Sequence, residues 1–213
     1  MPTNDAPRLG RVIILNGAPR SGKSSLVRAI QDTVPGTWLN LGVDGQMASL
    51  PPQLMPGIGL RPGGERPDLE ADVLRLYQLL FRTIRLTATA GFDIVADLGM
   101  HEDYATPLNI LDQCARALAP LGTLLIGIDC TIEEIMRRRN ADTKGGYYAA
   151  GDVPPPPVLR WQSAVHAEKS YDIQLDMSKL TPREGAGRIA LLLASPPQKT
   201  VLQQHLSALD PAF

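Results

Sequence analysis

The stretch "LNGAPRSGKSS", Leu15–Ser25, directly behind the apolar run "RVIIL", constrains this chain more than any other feature. It contains G-x-x-x-x-G-K-S, the Walker A pattern. An apolar strand stands before it and a helical pattern after it, which is the context the motif requires. Gly17 and Gly22 let the backbone bend so that several N–H groups point inward, and the following helix adds its positive end. Lys23 brings a mobile positive charge to the β/γ phosphates, and the Ser24 hydroxyl is placed to ligate Mg²⁺. Gly17, Ala18, Pro19, Arg20, Ser21, Gly22, Lys23, Ser24 and Ser25 are therefore expected to hold a nucleotide, with Arg20 facing either a phosphate or solvent.

Apolar β-type runs alternate with helical patterns along the rest of the chain, as in a doubly wound parallel sheet. The expected strands are Arg11–Leu15, Thr37–Asp44, Phe92–Leu98, Thr123–Cys130 and Tyr171–Met177. Leu26, Val27, Ile30 and Val34 form one face of the first helix. Leu69, Val73, Leu76, Leu80 and Ile84 mark a second helix, with Asp68 as its expected cap. The segment "SLPPQLMPGIGLRPGGERPD" is too irregular for a core element and too long for a plain connector, so residues 48–67 read as a functional loop. A second irregular segment follows the basic helix "TIEEIMRRRNA", and its four prolines at 154–157 favour an extended, stiff piece. Thr181 and Pro182 open a last long helix. The tail after "SPP" forms one more short helix, serving packing or dimerisation. The organisation expected is one domain over 1–195, with a substrate loop near 48–67, a lid near 137–157 and a C-terminal extension over 196–213.

Charge and cysteine content narrow the function. The net charge is -1, so the chain lacks the excess positive charge of a non-specific nucleic-acid binder. No run approaches the roughly 20 apolar residues of a membrane span, and "MPTNDAPRLG" lacks the apolar core of a secretory leader. Cys114 and Cys130, the 2 cysteines, sit in apolar surroundings as packing residues. They fit a reduced, cytoplasmic chain better than a disulfide framework.

Two carboxylates stand at expected strand ends. Asp97 ends "DIVAD", where an acid holds Mg²⁺ through water. Asp44 ends the second strand, and ligands of α/β sheets bind outside such ends. It is placed either to take the proton of an attacking hydroxyl or to cap the helix opening at "GQMAS". His101, Glu102 and Asp103 do not fit a zinc spacing and read as a solvated loop. No N-K-x-D accompanies the phosphate loop, so a signalling GTPase is not expected.

The opening "RVIILNGAPRSGKSSLVRAIQDTVPGTWLNLGVDGQMASLPP" resembles the chloramphenicol phosphotransferase family. The shared features are I-I-L-N-G, the G-K-S loop, and "GVD" followed soon by proline. "AGFDIVADLG" and "VHAEKSYDIQLDMS" are similar to later strands of that family, so the resemblance spans about residues 11–190. It implies a three-layer P-loop kinase fold that moves the ATP γ-phosphate onto a hydroxyl of a small antibiotic-like molecule. Carried over by position, Asp44 is the general base, Lys23 handles phosphate, and Ser24 and Asp97 hold Mg²⁺. Arg138 aligns with a lid arginine, and Lys144 substitutes for another. The chain departs from the family where Ala96-Asp97 replaces two adjacent acids, and where Arg137, Arg138 and Arg139 stand together. Two other readings stay open: a P-loop kinase for a metabolite or nucleotide, and a nucleotide-binding regulatory module without transfer.

Overall fold

The structure, a computed structural model, describes residues 8–141 and 151–209. Its five strands are β1 (Val12–Asn16), β2 (Trp38–Asn40), β3 (Asp93–Leu98), β4 (Leu124–Asp129) and β5 (Ile173–Asp176). They form one sheet in the order β2-β3-β1-β4-β5, and every pairing is parallel. Parallel strands joined by helical crossovers are covered on both faces, so their sequences are near-continuous apolar runs. β1 is the clearest case, buried along its whole length.

Successive side chains of β1 point to opposite faces and so enter two different cores. Val12 and Ile14 pack with Ile94, Ala96 and Leu125 beneath α3 (Glu70–Thr89), α4 (Ile110–Leu118) and α8 (Val201–Leu209). Ile13 and Leu15 pack with Val95, Ile126 and Ile128 beneath α1 (Lys23–Thr33) and α7 (Pro182–Ala194). These are the three layers expected. Each fully buried aliphatic side chain contributes about 1.5–3 kcal/mol. Thr181 and Glu184 form a reciprocal capping box at the start of α7, which fixes that helix against α1.

Several local expectations are corrected. The second strand stops at Asn40, and Asp44 lies instead in the first turn of a short helix, α2 (Val43–Ala48). Directly after β2 the chain turns, with Gly42 N–H donating to Asn40 Oδ1 at 3.0 Å, and Gly42 passes so close to Asp97 that a Cβ there would lie 1.8 Å from Oδ1. Asp68 is not a cap: it pairs with Arg66 at 2.7 Å, and Leu69 stands at the helix start. The proline run is extended only in part, because Pro156 opens α6 (Pro156–Ala164). Proline suits that first position, where its missing N–H has no partner to lose. The tail helix α8 packs on α4 and β4 through Leu202 and Leu206. Asp172 ties it down by accepting from the backbone N–H groups of Leu125 and Val201, at 2.7 and 2.9 Å.

Candidate active site

The site forms at the carboxyl ends of the strands, where the loop between β1 and α1 turns over the sheet. Gly22 takes a left-handed conformation, φ 105°, just before α1 begins at Lys23. Lys23 is half-buried, and its Nζ donates to the carbonyls of Gly17 and Ala18, at 2.7 and 2.8 Å. Burial lowers its pKa to about 8, against the opposing attraction of Asp97 and Asp44. Ser21 is buried beneath the loop, and its hydroxyl has no hydrogen-bond partner among the described residues.

Asp97 shares the α1 face of the sheet with Val95, two residues earlier in β3, and so points at the first turn of α1. There Ser24 Oγ donates to Asp97 Oδ2 at 2.9 Å. A hydroxyl beside a carboxylate is a set of hard oxygen donors. It fits Mg²⁺, which keeps several waters and completes its shell with phosphate oxygens.

Two cavities meet at this point. The first, about 720 Å³, runs from the phosphate loop between α5 (Ile132–Asn140) and the start of α7, and Arg137, Arg138, Met177, Leu180 and Pro182 line it. The second, about 740 Å³, runs under the loop over 48–67, with Met47, Met55, Ile58, Val158 and Trp161 in its wall. Arg20, Lys23, Ser24 and Asp44 line both. Asp97 lines only the second, and Ser25 only the first. Gly17, Ala18 and Pro19 border the second cavity, and Gly22 borders the first.

The three consecutive arginines of α5 separate by about 100° each around the helix. Arg137 and Arg138 face the first cavity, and Arg139 lines the second, almost fully buried. Arg138 is built in on three sides. Its Nε donates to Glu134 at 2.7 Å, its Nη1 to the Arg20 carbonyl at 3.2 Å, and its Nη2 to the Met177 carbonyl at 2.6 Å. Arg137 and Arg138 together pull the Glu134 carboxyl down to about 2. Arg138 thus fastens the phosphate loop to α5 and to the end of β5. Lys144 and the middle of the expected lid lie outside the described residues.

The segment after β3 departs from its sequence reading. His101 is fully buried rather than solvated. Its Nε2–H donates to the Leu60 carbonyl at 3.0 Å, and its ring stacks on Tyr104 and meets Trp161 edge-on. Burial lowers its pKa to about 4. Glu102 caps α4 by accepting from the N–H groups of Leu108, Asn109 and Ile110. Sequence reading missed Arg139 and Trp161. The helical spacing of the arginine run carried the signal for the first. For Trp161 there was none, because its neighbours come from distant segments.

No helix among the described residues is long and apolar enough to cross a membrane. The architecture is that of kinases with a phosphate loop. APS kinase of Mycobacterium tuberculosis, solved with AMPPNP and APS, superposes with a TM-score of 0.61 at 18% identity, over 89% of this chain and 100% of that one. A sugar kinase from Janibacter sp. superposes with a TM-score of 0.60 at 17% identity, over 88% of this chain and 96% of that one. In sequence, a Mycobacterium tuberculosis protein provisionally named an O-phosphotransferase is 27% identical over 183 residues, 78% of this chain and 75% of its own length. Fold, phosphate loop and relatives support a P-loop phosphotransferase of the kinase type. The model of the family described as chloramphenicol phosphotransferase-like protein matches residues 10–194, and the chain belongs to that family.

Proposed function

We propose that the protein transfers the γ-phosphate of ATP, with Mg²⁺, to a hydroxyl of a small antibiotic-like molecule of the chloramphenicol type. The observation that carries this reading is the meeting of two cavities at Lys23, Ser24 and Asp44. A regulatory nucleotide binder needs one cavity; a transferase needs a donor space and an acceptor space sharing one point. In this reading the first cavity takes the nucleotide and the second the acceptor. ATP with Mg²⁺, when bound, supplies the phosphoryl group and neutralises its charge.

The chain's own residues do the rest. Loop N–H groups and Lys23 bind and orient phosphate oxygens. Ser24 and Asp97 hold the ion's shell in place. Asp44, on α2 beside the shared point, accepts or orients the hydroxyl proton while the hydroxyl oxygen is aligned with the phosphorus. Arg139 lies on the acceptor side, where a guanidinium offsets charge on the transferring group. The mostly apolar wall excludes water and so disfavours hydrolysis. The partner is therefore a small molecule, and the setting proposed is the cytoplasm, where ATP is abundant.

The test is ADP production from ATP and Mg²⁺, with and without a panel of hydroxyl compounds beginning with chloramphenicol, and mass spectrometry of the acceptor. ADP release that depends on an acceptor, with a phosphorylated product, is the expected result. Nucleotide binding without product from any panel member counts against transfer.

A further inference from the structure

Asn16 is the last residue of β1, directly before Gly17 opens the phosphate loop, and it is fully buried. Its Nδ2 donates to the Val165 carbonyl and to Tyr171 Oη, each at 3.0 Å. Its Oδ1 accepts from the backbone N–H of Met100 at 2.6 Å. The amide fits only one way round. Reversed, its oxygen would face the Val165 carbonyl and its N–H groups the N–H of Met100. Beside this contact, Gly17 N–H donates to the Leu98 carbonyl at 3.2 Å. The entry of the loop that carries Lys23 is therefore fastened twice to the stretch directly after Asp97.

Behind Asn16 stands a chain of polar groups, none of which lines either cavity. Tyr171 Oη lies 2.8 Å from His166 Nδ1, and His166 Nε2 lies 3.2 Å from Asp129 Oδ1. The carboxylate favours the ring hydrogen on Nε2, which leaves Nδ1 to accept. Tyr171 Oη already accepts from Asn16, so its own proton goes to His166 in preference to the Val165 carbonyl, which is farther off at 3.4 Å. Burial holds His166 below its ordinary value, opposed by Asp129 and the Ile128 carbonyl and aided by Lys169 and Lys23. The ring is therefore neutral near pH 7. We propose that Asn16 is a positioning residue of the phosphate loop, and that Tyr171 and His166 hold its amide in the orientation that sets the loop against the Asp97 strand. The inference rests on the nucleotide reading for its effect on ligands, and on the hydrogen bonds themselves for the loop. Protonation of His166 puts a hydrogen on Nδ1, and Tyr171 Oη must then accept from it in competition with Asn16.

Asn16→Ala is the direct variant. Should it fold poorly, Tyr171→Phe carries the test, since it keeps the ring that packs over Gly127 and removes only the hydroxyl. Two quantities are followed between about pH 5 and pH 8. One is the amide resonances of Gly17 and Met100 in the ligand-free protein, read beside those of the His166 ring. The other is ADP affinity. In the native protein both amides are expected to shift with the His166 midpoint. In Tyr171→Phe the ring still titrates and the amides no longer follow it. Above that midpoint each variant should bind ADP about tenfold more weakly, as for loss of one hydrogen bond. The native advantage over Tyr171→Phe should vanish as pH falls through the midpoint, with the titration of ADP itself cancelling in the ratio. Amides that ignore His166, or follow it equally in both proteins, overturn the positioning role. So does an advantage that stays constant with pH, which is what a purely structural loss gives. Amides that follow His166 in a protein that binds no ADP keep the positioning role and remove the nucleotide reading. Native ADP affinity in Tyr171→Phe at every pH does the reverse.

Discussion

Ser24 Oγ donates a 2.9 Å hydrogen bond to Asp97 Oδ2, joining the first turn of α1 to the end of β3. Gly42 packs so closely against the same carboxylate that a Cβ there would lie 1.8 Å from Oδ1. The two contacts fall on different oxygens of the carboxylate. Asp97→Asn removes the charge proposed to hold an ion's waters, so Mg²⁺ should no longer strengthen nucleotide binding. Gly42→Ala should have the same effect by displacing Asp97. Calorimetric titration with ADP, with and without Mg²⁺, reads both. An undiminished Mg²⁺ effect in Asp97→Asn removes Asp97 from the ion site.

Lys23 carries a pKa of about 8 because burial outweighs its two carboxylate neighbours. Phosphate binds the charged form and so raises that value. Nucleotide affinity should hold below about pH 8 and fall about tenfold per pH unit above it, until the raised value is reached. ADP binding measured across this range tests the sign. A flat profile would show that Lys23 does not contact phosphate.

Burial holds His101 at about 4 against an ordinary value of 6.5. The folded value is the lower one, so folding favours the neutral ring. That contribution is complete above about 6.5 and is lost as pH falls toward 4, a change of at most about 3 kcal/mol. His101→Gln keeps an N–H donor for the Leu60 carbonyl but does not titrate. The stability advantage of the native protein over this variant, from urea unfolding, should therefore shrink between about pH 6.5 and about pH 4. A constant difference would place the titration elsewhere.

Arg138 donates to two backbone carbonyls and one carboxylate at once. Lysine keeps the charge but lacks the planar fork. Arg138→Lys should lower nucleotide affinity about tenfold, as expected for loss of a charged hydrogen bond, and leave acceptor affinity within about twofold. A loss confined to the acceptor would move Arg138 to the other cavity.

The phosphate loop and the five strands were legible because each is a local pattern. An apolar run before glycines and a Lys-Ser pair needs no distant partner to be read. Asp44 was legible as a residue facing Lys23 but not as a helical one. The chain turns after Asn40, whose side chain accepts from Gly42 N–H, and Gly42 then passes against Asp97, more than fifty positions away, a contact the local sequence does not show. His101 sat among acids in the sequence and reads as solvated there. Leu60 and Trp161, which bury it, lie about forty and sixty residues away. The arginine run was legible as basic, but only the turn of α5 divides Arg138 from Arg139 between two cavities. Prolines 156 and 157 stiffen an extended chain or begin a helix equally well.

Asp44 bears the central claim, because it lines both cavities and is the carboxylate proposed to meet the acceptor hydroxyl. Asp44→Asn keeps the shape of the side chain but cannot take the proton. The most direct measurement is single-turnover transfer from ATP to a hydroxyl compound that the native protein phosphorylates, made alongside nucleotide affinity. Asp44→Asn should lose about 10²–10⁴-fold in the transfer rate while ADP affinity stays within about twofold. Transfer at the native rate by Asp44→Asn would contradict the account.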